Sequence, residues 1–328
     1  MAFRNAKEAK IGGKFLAFGD TSTGKSLFAL TFPKVACIDS ETGVAHYEGK
    51  DIKLNNGNTY NNLVLVDNTS DLDELENDLD LFLAGEYDDK IETLSIDSET
   101  KFYGTMQVGA QEVEENRARR KGGNEDDANI SQRSWGRIKI LNLKLQQAKI
   151  DLSSKGIHVV SIAQAVDERD KKGENVIGVK PDMHKSVKFD YDTTLEFYTE
   201  EINGETHYYA KVLKDRTNVT KRGDIIENPC YDIWKPYFDK MNGLATNETS
   251  YKKDIKSSTD SMCDEAIKVE SLVSEWKDMM KQLKDDKNMD AISKINTLLK
   301  EKKFDIKKLE LHSLADITEL VDFTKLQL

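Results

Sequence analysis

Eight consecutive residues, Gly19-Asp20-Thr21-Ser22-Thr23-Gly24-Lys25-Ser26, have the chemistry of phosphate binding. They satisfy the pattern G-x-x-x-x-G-K-[ST] in full. A polyphosphate is a dense negative charge. Glycines let the main chain fold closely around it, so that consecutive N–H groups point inward. A helix that starts there aims the positive end of its dipole at the same place. In that arrangement Lys25 reaches the β- and γ-phosphates, and the Ser26 hydroxyl joins the shell of a Mg²⁺ ion. The binding span is expected to run from Gly19 to Leu27, with ATP and Mg²⁺ as the bound species.

Hydrolysis needs further groups. Ile91-Glu92-Thr93-Leu94-Ser95-Ile96-Asp97 is an apolar run ending in an acid, the Walker B pattern, and Asp97 is expected to hold a Mg²⁺-bound water. The next residue is Ser98 rather than an acid, and Glu99 points elsewhere if the strand continues. A carboxylate is instead available in Ile38-Asp39-Ser40-Glu41-Thr42-Gly43, just past a second strand end. Glu41 there can orient and polarise an attacking water; otherwise it is a surface turn acid. Ser161-Ile162-Ala163-Gln164 puts a neutral amide at another strand tip, where it can bond a γ-phosphate and release it on hydrolysis. The polar stretch from Ala165 to Val187 then reads as a switch loop or as a plain solvated loop. Lys214 and Arg216 share a strand face by alternation. In an oligomer they could reach a neighbour's γ-phosphate, a contribution of about 10³–10⁵ in rate; otherwise they mark an exposed charged strand end.

One basic cluster is separate from these. Arg117, Arg119, Arg120, Lys121, Arg133, Arg137 and Lys139 surround the pair Gly122-Gly123, which is expected to be mobile, and Trp135 lies among them. Arginines next to an aromatic ring suit single-stranded nucleic acid, through phosphate pairing and base stacking. Salt bridges between subunits are the alternative.

These groups have to be positioned by an α/β framework. Short apolar runs at Lys14–Phe18, Val35–Asp39, Leu63–Val66, Thr93–Asp97 and His158–Ala163 read as strands, with helices at Ser70–Ala84 and Gln132–Leu152 between them. That alternation predicts a parallel sheet covered on both faces, with ligands at the carboxyl ends of its strands. Thr193–Thr199 and His207–Leu213 read as a hairpin turning at Asn203-Gly204. Every arginine lies at or before Arg222 and every proline at or before Pro236. A core at residues 1–241, a linker at 242–260 and a helical region at 261–328 are expected. In the last, Met262, Ala266, Val269, Val273, Trp276, Met280 and Leu283 form a heptad seam. A second helix is expected at Met289–Leu299, and a third opens with the capping box at Ser313-Leu314-Ala315-Asp316.

Composition sets the outer limits. The chain has 328 residues, 38% hydrophobic and 33% charged, with net charge −11. That acidity excludes nucleic-acid binding by global charge and leaves only local patches or an assembly. Cys37, Cys230 and Cys263 are widely spaced and read as reduced thiols. No paired His/Cys spacing suggests a structural metal. The start, Met1 to Lys7, has no apolar run, and no stretch of 18 apolar residues occurs, so a cytoplasmic location without a membrane span is expected.

In their order along the chain, the phosphate loop, Asp39-Ser40-Glu41-Thr42-Gly43, Asp97-Ser98, the Arg133–Arg137 stretch, Gln164 and Lys214-Asp215-Arg216 resemble bacteriophage RecA-like recombination ATPases. These are the core-only single-strand annealing proteins of the Sak type, related to archaeal and eukaryotic strand-exchange recombinases. The resemblance covers roughly residues 10–235 and implies a RecA-like P-loop core. In those strand-exchange recombinases an Asp-x-Glu-Gly motif carries the catalytic glutamate, which the resemblance places at Glu41, although Thr42 departs from that motif. It also implies ATP-stimulated binding of single-stranded DNA, strand annealing, and assembly into filaments or rings in a bacterial host's cytoplasm. Cooperation with a single-strand-binding protein is implied too, and the C-terminal helices are candidates for docking a partner. The rival readings are a small-molecule P-loop kinase, a RecA-fold helicase or loader, and a non-catalytic ATP-gated scaffold.

Overall fold

The structure, a computed structural model, describes residues 5–327. The first four residues of the N-terminal segment read above, and Leu328, lie outside the described residues, as does the side chain of Cys263. In chain order the elements are β1 (Lys14–Gly19), α1 (Lys25–Leu30), β2 (Val35–Asp39), β3 (Ile52–Lys53), β4 (Thr59–Tyr60), β5 (Leu63–Asp67), α2 (Leu72–Ala84) and β6 (Thr93–Asp97). There follow α3 (Glu99–Arg120), α4 (Gln132–Ser154), β7 (His158–Arg169), β8 (Val176–Pro181), β9 (Thr193–Ile202), β10 (Glu205–Asp215), β11 (Ile225–Glu227) and α5 (Lys235–Asp239). The C-terminal helices are α6 (Tyr251–Asp285), α7 (Met289–Glu301) and α8 (Leu314–Lys325).

Among the described residues, nine strands share one sheet in the order β11-β10-β9-β1-β7-β6-β2-β5, with β8 paired to the outer part of β7. The neighbours from β9 to β5 run parallel, and β8, β10 and β11 run antiparallel to their partners. This is the expected mostly parallel α/β sheet. One topological detail matters for the site: β7 stands between β1, which leads into the phosphate loop, and β6, which ends in Asp97. Register aligns Gly19 with Gln164 and Asp39 with Asp97. The turns after four neighbouring strands therefore open at one end of the sheet.

Burial on both faces holds β1 in place. Phe15 and Ala17 face a core with Phe28, Phe32 and Trp234, whereas Leu16 and Phe18 face Ala163, Val187 and Tyr191. Phe15 packs edge-on against Phe32 at 4.9 Å between ring centroids. Leu75, Leu79, Phe82, Phe102, Leu145 and Leu152 of α2, α3 and α4 cover the strands β2, β6 and β7.

Two segments differ from expectation. The polar stretch Ala165–Val187 is not a plain loop: β7 continues to Arg169 and pairs with β8, from Ala165↔Pro181 outward. Val166, Val176, Ile177 and Val179 supply strand propensity there, yet all are exposed, so the hairpin has no buried face that a period-2 pattern could reveal. Helix α3 was not foreseen because only its first two turns enter the core, at Glu99, Thr100, Phe102 and Met106. Past Met106 it forms an arm with α4. Met106 meets Asn142, and Glu114 accepts from Ser131 at 2.6 Å and Ser134 at 2.5 Å. Those two hydroxyls, with Arg117, hold the Glu114 carboxyl down to about 2.

The chain divides into two compact units, through Lys252 and from Lys253. The division falls inside the expected linker, which is helical from Tyr251 onward. In the second unit Val269, Val273, Trp276, Met280 and Leu283 join Ile295, Leu299, Ile317, Leu320 and Val321 in a core. The first two seam positions, Met262 and Ala266, are exposed instead. The capping box is formed, with Asp316 N–H donating to Ser313 Oγ at 3.2 Å. Among the described residues no helix is long and apolar enough to cross a membrane.

His158 opens β7 beneath this architecture. Its Nδ1 accepts from the Gly13 N–H at 3.0 Å, so Nε2 carries the proton and faces Tyr231 Oη at 3.2 Å. Burial, with some repulsion from Lys10, pushes its pKa down to about 3, against about 6.5 in an unfolded chain. The neutral ring thus supports folding fully above pH 6.5, and its contribution is lost as pH falls towards 3. By pH 5 the loss should be about 2 kcal/mol. Denaturant unfolding at pH 7 and pH 5 should show it, and His158→Asn, which keeps an acceptor for Gly13, should flatten that interval. An equal decline in both proteins would assign the acid sensitivity to other groups.

Candidate active site

The phosphate loop begins where β1 runs out of room. A Cβ on Gly19 would lie 2.2 Å from the Phe197 carbonyl oxygen on β9, so no larger residue fits. The chain then turns through left-handed conformations at Ser22 (φ 58°) and Gly24 (φ 88°), which curl successive N–H groups into an anion-binding concavity. No side chain caps the start of α1. Thr23 Oγ1 donates to the Asp20 carbonyl at 2.8 Å, and Lys25 Nζ donates to the same carbonyl at 2.5 Å. Burial lowers the pKa of Lys25, opposed by Asp97, Asp20 and Glu41. Thr21 N–H is held by Asp20 Oδ1 at 2.7 Å. Leu27, included in the expected binding span, packs its side chain against the Phe28 core and can offer a phosphate only its main chain.

Next to the loop, Ser26 Oγ donates to Asp97 Oδ2 at 2.6 Å. Burial pushes the Asp97 carboxyl up to about 6, with Glu41 and Asp39 adding to the shift and Ser26 and Lys25 opposing it. A crowded, desolvated carboxylate beside a hydroxyl is a hard oxygen donor set that a divalent cation would relieve. No group of three acidic, histidine or cysteine ligands converges among the described residues. The Ser26 hydroxyl and the buried Asp97 carboxylate fit Mg²⁺, which typically takes one or two protein ligands and completes its shell with phosphate and water.

Glu41 joins this cluster from β2. Asp39 shapes its turn by accepting from Glu41 N–H at 3.0 Å and Val44 N–H at 2.8 Å. Thr42 takes a left-handed φ of 57° in this turn. Glu41 Oε1 then accepts from Ser98 Oγ at 2.7 Å and from Gln164 Nε2 at 3.0 Å. Ser40 seals the seam between β2 and β6, donating its N–H to the Asp97 carbonyl at 2.6 Å and accepting from Ser98 N–H at 2.9 Å. Glu41, Asp97, Lys25, Ser26 and Gln164 are thus brought together.

Gln164 also connects outward. Its N–H donates to Thr100 Oγ1 at 2.9 Å, Thr100 donates to the Asp182 carbonyl at 2.8 Å, and Asp182 N–H returns to the Gln164 carbonyl at 2.8 Å. This closed ring forms the base of the β7–β8 hairpin. Below it lies a buried ionic network. Lys149 Nζ pairs with Glu99 and donates to Ser161 Oγ and Tyr191 Oη, each at 3.0 Å. Gln146 Nε2 and Tyr191 Oη satisfy the remaining Glu99 positions at 2.9 and 2.7 Å. Burial opposes ionisation of Glu99, but Lys149, Tyr191 and Ser161 outweigh it and hold the carboxyl below its usual range.

Other candidates lie elsewhere. Asp215 pairs with Thr193, at the end of the sheet opposite the phosphate loop. Lys214 there donates to the carbonyls of Phe189 and Tyr191, and Arg216 to Asp192 and Phe189. The basic cluster occupies the outer part of the α3–α4 arm. Arg117 pairs with Glu114 at 2.7 Å and Arg119 with Glu125 at 2.5 Å. Arg120, Lys121, Arg133 and Arg137 are exposed, and so is Trp135. Sequence reasoning missed Ser40, Ser98 and Thr100, whose hydroxyls build the site, because single serines and threonines give no local pattern. It also missed Tyr208 of β10, whose ring lies against Gly24. Tyr208 lies inside the expected strand His207–Leu213, where alternation alone does not set it apart from its neighbours.

A family model described as an AAA domain matches residues 12–222. Among curated proteins, none matches this chain. Similar solved structures include the flagellar accessory protein FlaH from Methanocaldococcus jannaschii, with 11% identity and a TM-score of 0.37, covering 67% of this chain and 85% of that one. A KaiC-like protein from Pyrococcus horikoshii has 14% identity and a TM-score of 0.38, with the same coverages of 67% and 85%.

The Glu99–Lys149 network gives a stability test. Removing one partner of a buried ion pair leaves an uncompensated charge and typically costs about 3–5 kcal/mol. Lys149→Met should therefore lower the free energy of urea unfolding by that amount, and adding Glu99→Gln should restore at least half of it. Equal losses in the single and double variants would mean that packing, not charge pairing, sets the contribution of this site.

Proposed function

The chain belongs to the AAA domain family, and we propose that it is a DNA-stimulated ATPase that binds single-stranded DNA and promotes annealing of complementary strands. The observation that supports this most is the continuous hydrogen-bonded path from Glu41 through Gln164 to the base of the β7–β8 hairpin. It links the proposed catalytic carboxylate to a projecting element, and the same unit carries a basic, tryptophan-bearing arm. Exposed arginines and an aromatic ring are what sequence-tolerant binding of single strands requires.

Under this proposal the residues take the following roles. Main-chain amides of Gly19–Ser26 and Lys25 would hold the phosphates, and Ser26 and Asp97 would hold Mg²⁺. Bound MgATP supplies a phosphoryl group for transfer to water. Glu41 Oε1 is fixed by Ser98 and Gln164, which leaves Oε2 to accept the water proton. Gln164 would sense the state of the site, since its side chain bonds Glu41 while its main chain belongs to the Thr100–Asp182 ring. Tyr208 walls the loop on the β9–β10 side. Lys214 and Arg216 stand at the far end of the sheet, so a role at a γ-phosphate requires the site of a second copy, arranged head to tail. A filament or ring would provide that arrangement.

ATP turnover with and without single-stranded DNA, across a salt series, tests the proposal. DNA should raise turnover about tenfold or more, and its binding should fall with salt at a slope of about −0.7 per neutralised phosphate. Lys25→Ala should abolish turnover, and Glu41→Gln should lower it about 10²–10⁴-fold while ATP binding persists. Reversing charge at Arg120, Lys121, Arg133 and Arg137 should remove stimulation and spare the basal rate. Turnover indifferent to DNA would favour a small-molecule kinase. Full function in Glu41→Gln would favour a scaffold, and directional unwinding a helicase or loader.

A further inference from the structure

The C-terminal unit has a groove that plays no part in the nucleotide site. Two depressions of about 510 and 420 Å³ meet at Asn296, Leu299 and Ile306, between α6, α7 and the turn that follows α7. The floor is apolar, made by Trp276, Met280, Ile292 and Leu299, and Ile306, 53% exposed, stands at its edge. The rim is cationic. Lys277, Lys281 and Lys284 come from α6, and Lys300 and Lys303 from the end of α7 and the turn after it. The α6 lysines recur at spacings of four and three, so they border one side of the packed seam. Lys277 pairs with Glu310 at 3.1 Å. Lys281, Lys284, Lys300 and Lys303 enter no ion pair among the described residues, and one carboxylate, Asp305, stands with them in the lining.

We propose that this groove docks an acidic peptide with bulky apolar side chains, presented by a partner protein. The complementarity is twofold. Lysines concentrated on one rim of a chain with net charge −11 favour an anionic ligand. The apolar floor favours a ligand with aliphatic or aromatic anchors. Single-stranded nucleic acid meets only the first requirement. The groove offers it no free ring to stack on, because Trp276 is buried with Nε1 donating to Thr324 at 3.1 Å, and Phe304 packs on His312 at 4.8 Å. The rim also lacks arginine, in contrast to the α3–α4 arm. The inference stands apart from the proposed ATPase activity, since no residue of the groove belongs to the nucleotide site.

The test uses the full chain without nucleotide and a fluorescein-labelled twelve-residue peptide of Asp and Glu carrying two Leu and one Phe. A control peptide replaces every acid by its amide. Fluorescence anisotropy should give a dissociation constant of about 10 µM for the acidic peptide at low salt. The amide peptide should bind at least about tenfold more weakly, and raised salt should weaken the acidic one. The surface variant Lys281→Glu/Lys284→Glu/Lys303→Glu should lose about tenfold or more, as should Ile306→Asp, with thermal unfolding and ATP turnover unchanged. If the triple variant loses stability, the same lysines changed to Gln serve instead. Equal binding of the two peptides, or no effect of the variants, would overturn the proposal. So would an oligothymidylate that binds the groove in a lysine-dependent way and displaces the peptide. Self-association abolished by the triple variant would assign the groove to a second copy of the chain.

Discussion

Glu41 and Gln164 lie 123 positions apart in the chain and meet in one 3.0 Å hydrogen bond. That contact constrains most of the first unit. It requires β2 and β7 to end at the same side of the sheet with β6 between them, and so fixes parallel pairing, strand length and register together. Register is strict because each strand in this region is buried on two faces, and a one-residue slip would turn every side chain over. The apolar packing around Phe15, Phe28 and Phe32 on one face, and around Leu94, Phe102 and Leu152 on the other, therefore has a functional consequence. It holds a carboxylate, an amide and an anion-binding loop at neighbouring strand tips.

Electrostatics at those tips are deliberately unbalanced. Asp39, Glu41 and Asp97 crowd one side, and Lys25 is the cation closest to them in charge effect. Burial, reinforced by its two neighbours, makes Asp97 resist ionisation until a cation arrives. The same principle runs in the opposite sense one layer below. Glu99 and Lys149 are also fully buried, but hydrogen bonds from Gln146 and Tyr191 to Glu99, and to Ser161 from Lys149, leave neither charge unmatched. The lower network is closed and gives a rigid support for Ser161 and the Gln164 tip on β7, whereas the upper one is open to ligand. A closed network adds orientation more than stability, since buried pairs rarely exceed an apolar replacement in net free energy.

Legibility in the sequence follows the same division. The phosphate loop, Asp97, Glu41 and Gln164 sit at the ends of short apolar strands, where local pattern and position coincide, so each could be read singly. Their supports could not. Ser98, Ser40 and Thr100 act through hydroxyls whose value depends on a partner far away in sequence, and nothing local distinguishes them from surface residues. Helix α3 carries no apolar stripe beyond Met106 because its outer turns meet α4, the polar connection that follows α3, and solvent. The β7–β8 hairpin projects free of the core, so its alternation leaves valine and isoleucine exposed and looks like a polar loop. In the C-terminal unit the heptad seam was visible over its full length, but only the part from Val269 onward has helices α7 and α8 to pack against; Met262 and Ala266 obey the same spacing without a partner.

Charge distribution ties these features to the behaviour of the whole chain. An acidic protein repels nucleic acid at long range, and at physiological salt that repulsion decays within about 8 Å. A basic surface can act against such a background only if it stands clear of it. The α3–α4 arm does so: its outer turns leave the core past Met106, and Arg120, Lys121, Arg133 and Arg137 are displayed there without intramolecular ion pairs among the described residues. Lysines without ion pairs also line the groove of the second unit, but around an apolar floor rather than beside an exposed ring. The two cationic surfaces thus differ in the chemistry next to the charge. Guanidinium groups with an indole suit a flexible polyanion with stackable bases, and ammonium groups over aliphatic side chains suit an acidic polypeptide. Net charge alone hides both, because a local patch acts at a range shorter than the one over which the average is felt.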